Sequence, residues 1–298
     1  MAAVDPPAPE RPVAGIAWMV VTGFLFVGVT GTVKWVGDGV PPAQGAFLRY
    51  LLGLPLLLPM LGAFGRARRE GALGAPVLRL FALRGAAHTG AVILWFYAMT
   101  RIPIAEVTAM GYLTPVLTAV GAVLLLGERM TPARAAAVAA ALIGATLILR
   151  PGMRALDPGH LAMLGTSLGF AASYLILKRV SGLHPGVVVV MLSLTVTVML
   201  APFAALDWVT PTPGQLAQLF LVAVLATAGH YTMTLAFRAA PVTVVQPAVF
   251  LQLVWATILG ALAFGEAVDP WVILGGTVIV AAASLVALSE GRRAARAR

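Results

Sequence analysis

Apolar runs long enough to cross a bilayer follow one another from Val13 to Leu288, and nearly every one is closed by proline, glycine or a charged residue. Hydrocarbon offers a bare backbone no hydrogen-bond partner, so a spanning segment is a helix of roughly 20 mostly apolar residues. On that rule the chain predicts ten membrane helices: Val13–Val33, Gln44–Phe64, Val77–Met99, Pro103–Leu126 and Pro132–Leu149, then Gly159–Leu177, Gly186–Leu206, Gln215–Phe237, Val242–Phe264 and Pro270–Leu288. The turns carry the expected breakers, among them Pro41-Pro42, Gly127, Pro151-Gly152, Pro158-Gly159 and Gly265. No turn is long enough to form a soluble domain.

The pattern is written twice. Phe96–Pro132 and Thr234–Pro270 align without a gap, so that Ala98 faces Ala236, Pro103 faces Pro241 and Val107 faces Val245. Gly127-Glu128 then faces Gly265-Glu266, and Pro132 faces Pro270. The chain divides into a proline-rich, disordered tail (1–12), a five-helix repeat (13–150), a second five-helix repeat (151–288) and a basic tail (289–298). Five is odd, so the second copy crosses in the opposite direction, and an inverted repeat of this kind commonly encloses a pathway between its halves. One departure breaks the symmetry: Pro115 corresponds to Leu253, and Pro247 lies nearly two turns earlier, so the two copies are expected to bend at different depths.

Composition agrees with a membrane chain: 60% hydrophobic, 10% charged, with a mean hydropathy of +0.95. There is no cysteine, which removes disulfides, thiolate metal sites and cysteine nucleophiles. Arginine outnumbers lysine, which occurs only as Lys34 and Lys178, and asparagine is absent, a bias that suits a GC-rich bacterial genome. The net charge of +9 is not a nucleic-acid footprint, because the basic residues sit in short loops and in the tail Arg292, Arg293, Arg296 and Arg298. With the N-terminus cytoplasmic, and with Arg49 and Arg84 set aside because they fall more than a turn inside predicted helices, fourteen basic residues fall on the inner side and four (Lys34, Arg101, Arg150, Arg154) on the outer side, so both termini are expected inside. The N-terminus lacks the basic region and cleavage site of a signal peptide, so the first helix is expected to be retained.

Polar and aromatic residues inside spans nominate a site, because they tend to face protein or water rather than lipid. Thr227, His230, Tyr231 and Thr234 share one face of the eighth helix. Thr166, Ser167, Ser173 and Tyr174 surround Phe170 in the sixth, and His88 stands two turns from Trp95 in the third. The candidate substrate-binding residues are Trp18, Arg49, His88, Trp95, Tyr112, Tyr174, His230, Tyr231, Gln252 and Trp255, near the bilayer middle between the halves. Threonines on these faces serve equally as helix–helix glue, and Trp35, Trp208 and Trp271 read as interfacial anchors. Glu106 is the acidic residue inside a span, expected to pair with Arg101 or Arg49. Glu128 and Glu266 are expected to complement the dipoles of the helices starting at Pro132 and Pro270. Small residues in the fifth and tenth helices, including Ala137, Gly144, Gly275 and Gly276, predict close scaffold packing or a subunit contact. No metal or cofactor site is indicated, and no nucleophile, base or triad spacing suggests an enzyme.

These segments resemble the EamA-type members of the drug/metabolite transporter superfamily. Ala46-Phe47-Leu48-Arg49-Tyr50 is similar to that family's arginine-containing motif. Ala105-Glu106, Thr114-Pro115-Val116 and Gly127-Glu128-Arg129-Met130-Thr131-Pro132 resemble the end of its first repeat, echoed by Ala263-Phe264-Gly265-Glu266 in the second. The resemblance covers roughly residues 13–288 and implies an all-helical exporter of small metabolites, often amino acids, in a bacterial inner membrane. The spanning aromatics point toward its aromatic-amino-acid subgroup. Expected partners are a small-molecule substrate and the lipid bilayer, with no cofactor, in a monomer or homodimer. A multidrug or quaternary-cation exporter of the same fold is the alternative, since an aromatic cage with Glu106 would suit a cation. A passive channel is another, although no ring of pore charges is visible.

The inverted repeat makes a direct prediction. Cysteines placed at Glu128 and Glu266 in this cysteine-free chain should react with an impermeant thiol reagent from opposite sides of the membrane. Labelling of both from one side removes the inverted arrangement.

Overall fold

The computed structural model describes residues 11–153, 155–180, 182–240 and 245–296. The expected tail up to residue 10, Arg154, Pro241, the first residues of the ninth helix and Arg298 lie outside them. The helices are α1 (Pro12–Val36), α2 (Pro42–Gly53), α3 (Leu61–Arg69), α4 (Ala75–Arg101), α5 (Ile104–Gly111), α6 (Leu113–Leu126), α7 (Pro132–Leu149), α8 (Pro158–Arg179), α9 (Pro185–Leu206), α10 (Pro213–Ala239), α11 (Phe250–Phe264) and α12 (Pro270–Arg296). They make ten crossings, because α2 and α3 form one and α5 and α6 another. The protein is a multi-pass membrane protein built from two inverted five-helix repeats.

Local sequence explains most ends. Among the described residues seven helices begin on proline, whose missing N–H costs nothing in the first turn. Thr131, Asp157, Thr212 and Asp269 accept from the free amides of α7, α8, α10 and α12. The side-chain caps of α7 and α12 are thus Thr131 and Asp269, with Glu128 and Glu266 three residues earlier in the turns. α6 and α11 end on Gly127 (φ 68°) and Gly265 (φ 65°), in the left-handed region where glycine has no steric penalty. The next amide, of Glu128 or Glu266, then reaches back to the carbonyl of Ala122 (3.3 Å) or Gly260 (3.0 Å). The same stop is thus built twice, and it sets each glutamate at the rim of the bundle.

Prolines break three crossings that the sequence pattern reads as continuous. Pro55 and Pro59 turn Leu54–Met60 into a 3-10 segment between α2 and α3. Pro115 has no N–H for the Gly111 carbonyl, and the chain breaks at Tyr112 between α5 and α6. In the second repeat Gln246–Val249, which contains Pro247, is a 3-10 segment ahead of α11. That break lies about a turn before the counterpart of Tyr112, so the copies bend at different depths as the prolines predict. α12 continues to Arg296 rather than ending at Leu288. Its last turns are rich in alanine and arginine, which are strong helix formers, and basic residues suit a helix C-terminus.

The most extensive helix pairings join the repeats: α1 with α10, α4 with α8 and α7 with α12. The inverted relation exchanges the first two pairs and maps the third onto itself. α1, α4, α8 and α10 thereby surround the centre, while α7 and α12 close a seam to one side. At that seam the backbones nearly touch, and a Cβ at Gly144 would lie 2.6 Å from the Gly275 carbonyl oxygen. Small residues permit this approach, which maximises dispersion contact where lipid removes any hydrophobic drive. A Cβ at Gly90 would meet nothing within 4 Å. Gly144→Ala should therefore lower thermal stability in detergent, by about 1–3 kcal/mol, while Gly90→Ala should be neutral or stabilising through its helix propensity. Equal effects would show that the seam is not closely packed in the native protein.

Candidate functional site

Between the repeats lies a cavity of ≈ 560 Å³. α4 supplies His88, Val92 and Trp95 along one stripe, α8 supplies Thr166, Phe170 and Tyr174, and α10 supplies His230 and Met233. Phe26 and Thr30 of α1, Arg49 and Tyr50 of α2, Tyr112 at the α5–α6 break and Gln252 of α11 complete its middle. The lining runs down to Glu128 and Arg134, at the end of the bundle that carries the chain termini.

Aromatic rings order the wall. Phe170 packs against His88 at a tilt (centroids 4.9 Å, 47° between the planes) and meets Trp95 edge-on (6.0 Å), and Phe26 meets His230 edge-on (5.2 Å). His88 is held from both ring nitrogens, by the Tyr50 hydroxyl at 2.9 Å and by Ser173 Oγ at 3.3 Å. That fixes the ring across the junction of α2, α4 and α8. The Tyr112 hydroxyl donates to the Val249 carbonyl (3.0 Å), bridging the two proline-induced breaks. Such pre-set rings and few polar groups are what a site for a flat amphiphile requires.

Of the residues nominated from sequence, Arg49, His88, Trp95, Tyr112, Tyr174, His230 and Gln252 line this one cavity, and three do not. Tyr231 is 60% exposed on the outer face of α10. Adjacent helical residues point about 100° apart, and the cavity faces the His230–Met233 side of α10, so its neighbour points away. Thr234 on the same expected stripe bonds the His230 carbonyl and is exposed. Trp18 is 39% exposed and outside the lining. Trp255 packs edge-on against Phe24 (6.3 Å), also outside. Thr22 and Thr232 instead tie α1 to α10 at 2.8 Å, the glue role expected of threonine.

The end opposite the termini is tied across the repeats. Lys34 Nζ of α1 lies 2.5 Å from Glu266 Oε1, and Glu266 Oε2 accepts the Ile104 amide at 2.9 Å. Lys34 also donates to the Ile102 carbonyl (2.9 Å), so one cation and one carboxylate bind three segments. Arg150 pairs with Asp269 between the two connecting turns. Glu106 pairs with His160 of α8 at 2.5 Å, both nearly sealed from solvent, rather than with Arg101 or Arg49. Arg101 lies against Asp157 (4.0 Å). At the termini end Glu128 accepts from Arg134 at 2.6 Å.

Sequence reasoning missed Phe26, Thr30, Tyr50 and Met233 of the wall, and two buried polar residues outside it, His160 and Arg84. His160 is the second residue of the predicted sixth helix, and nothing in its neighbours signals a carboxylate from the other half. Arg84, set aside because it lay inside a span, is buried one turn below His88. An arginine in the interior of an apolar helix was itself the available signal.

The EamA-like transporter family matches residues 13–150 and again 157–288. The chain is 32% identical over 289 residues to a riboflavin transporter of Rhizobium johnstonii, covering 96% of this chain and 94% of that protein. It is 26% identical to an S-adenosylmethionine uptake transporter of Rickettsia prowazekii, covering 93% of both chains. It is also 26% identical to a pseudopaline exporter of Pseudomonas aeruginosa, covering 94% of this chain and 97% of that one.

The ionic tie predicts a gate. Glu266→Gln removes charge-assisted bonds worth about 1.5–3 kcal/mol, enough for a tenfold or larger rise in the population open at that end. A cysteine at Thr108, buried in the cavity wall, should then react at least severalfold faster with a thiol reagent applied from the Glu266 side. An unchanged rate would mean that this end is held shut by packing alone.

Proposed function

The chain belongs to the EamA-like transporter family, and on that premise we propose that it is a secondary transporter carrying a small, flat, amphiphilic solute by alternating access. The observation that carries the reading is the cavity at the junction of the inverted halves, with rings from both repeats on its walls. Moving one half against the other would expose such a site to either side in turn. The basic-residue asymmetry supports cytoplasmic termini in a bacterial inner membrane, and the two separate family matches support a division near residue 150. The cavity's extension toward that end suits loading from the cytoplasm, which is export. Relatives equally similar to this chain are named for uptake and for export, so direction follows from coupling and gradients and not from the fold.

Two substrate classes fit the rings. The sequence nominated amino acids with aromatic or bulky apolar side chains. A second class, larger heteroaromatic solutes of the flavin type, is favoured by the 32% identical relative named for riboflavin. It is favoured also by the volume of ≈ 560 Å³, well inside the ~300–1,000 Å³ typical of drug-sized ligands. We rank the flavin-type class first. A quaternary cation is disfavoured, because Arg49 stands in the wall and Glu128 at its end is bound by Arg134.

The test is substrate counterflow into liposomes holding the purified protein, with labelled riboflavin, its phosphate ester flavin mononucleotide, tryptophan, phenylalanine and tetraphenylphosphonium. A flavin should exchange best. Trp95→Ala and Phe170→Ala should each weaken its apparent affinity about threefold to tenfold, the equivalent of ~0.5–1.5 kcal/mol per ring contact. Exchange of tryptophan without either flavin selects the amino-acid reading, and exchange of the cation alone removes both.

A further inference from the structure

We propose that Arg49 and Arg84 form an oxyanion site at the inner side of the cavity's middle, which binds a carboxylate or phosphate-ester group of the solute. The inference rests on the reading above only for where the rest of the solute lies.

Arg84 is 4% exposed, in α4, one turn from His88. Its Nε and Nη1 are buried with no hydrogen-bond partner, so water does not solvate them in this state. Arg84 does not itself line the cavity, but Tyr174 and Tyr50, which do, interact with it electrostatically. Arg49 lines the same cavity, with its guanidinium over the Tyr50 ring at 4.2 Å. The two arginines flank His88: Arg84 stands one turn from it on α4, and Arg49 packs on Tyr50, whose hydroxyl bonds the His88 ring. Among the described residues no carboxylate pairs with either arginine: Glu106 is held by His160, Glu128 by Arg134, and Glu266 by Lys34.

An uncompensated buried guanidinium is costly anywhere and more so within a bilayer. Arginine cannot relieve the cost by losing its proton. His88 offers no relief either, since both its ring nitrogens are engaged by Tyr50 and Ser173. What remains is a pre-formed cationic pocket next to aromatic walls. Guanidinium presents a planar fork that matches carboxylate and phosphate oxygens. A flat body on Trp95 and Phe170 would leave its acidic group on the arginine side of His88. Both side chains belong to the first repeat, so the anion would travel with that half.

Thermal unfolding of the purified protein with indole-3-acetate, indole-3-ethanol, tryptamine, phenyl phosphate and succinate tests this. Indole-3-acetate should raise Tm and bind at least tenfold more tightly than the alcohol, while tryptamine should have no effect. Phenyl phosphate against indole-3-acetate tells which oxyanion is preferred. Arg84→Gln and Arg49→Gln should each abolish the acid's advantage, and Arg84→Lys should keep part of it. Arg84→Gln should also raise the Tm of the ligand-free protein by removing an uncompensated buried charge, whereas a structural arginine would lower it. The site is refuted if the alcohol or amine protects as well as the acid, or if the acid's advantage survives both glutamine substitutions. If succinate protects in an arginine-dependent way but no aromatic solute is exchanged, the oxyanion site stands and the aromatic-solute reading falls.

Discussion

The carboxylate of Glu266 fixes how the two halves meet. It sits just beyond a left-handed glycine at the end of α11, faces Lys34 of the first repeat and accepts the first amide of α5. Two mostly buried charges repay their desolvation only when further bonds satisfy them, and here the Ile104 amide and the Ile102 carbonyl do so. The tie therefore orients α1, the α4–α5 connection and the α11–α12 turn together. Arg150–Asp269 and Glu106–His160 join the same end of the bundle, and the cavity extends away from it.

Around that end the packing follows the inverted relation. The pairs α1–α10 and α4–α8 exchange places under it, and their four helices carry most of the rings that face the cavity. Residues that touch the central space thus belong to helices whose main contacts cross between repeats. A relative movement of the halves would reshape the site without unfolding either half, which is how a bistable packed interface transmits motion. The breaks at Tyr112 and at Gln246–Val249 free backbone carbonyls next to the cavity, and the Tyr112 hydroxyl bonds one of them, that of Val249.

The ten crossings, the duplication and the seven cavity-lining nominees were legible in the sequence for one reason. Spanning length, helix breakers and buried polar residues are local properties. The azimuth of each helix was not. In a soluble helix the polar face marks the outside, but here lipid and core are both apolar. Spacing therefore puts Tyr231 and Thr227 on one face of their helix without saying whether that face looks to the centre or to lipid. Tyr231 and Trp18 were lost for that reason. Glu106–His160 joins residues far apart in the chain, and no local pattern encodes such a pair. Arg84 was visible but was discounted as a topological marker, although its depth in the span was the informative fact.

The Gly144–Gly275 crossing carries a consequence about sidedness. The repeat relation takes Gly144 to Ala282 and Gly275 to Ala137, so it carries this crossing onto Ala137 and Ala282, where both positions bear a methyl. A transporter made of two identical inverted halves would be degenerate: its two orientations would be mirror-equivalent in energy and equally populated. Each difference between the copies lifts that degeneracy, and about 1.4 kcal/mol shifts the ratio tenfold. The seam of α7 and α12 reaches the cavity at Arg134 and Ala283 and ends at the Arg150–Asp269 tie, but the Gly144–Gly275 crossing belongs to neither, and its counterpart across the repeats is not equivalent to it. Packing that contacts neither solute nor tie would thereby bias which orientation such a transporter prefers.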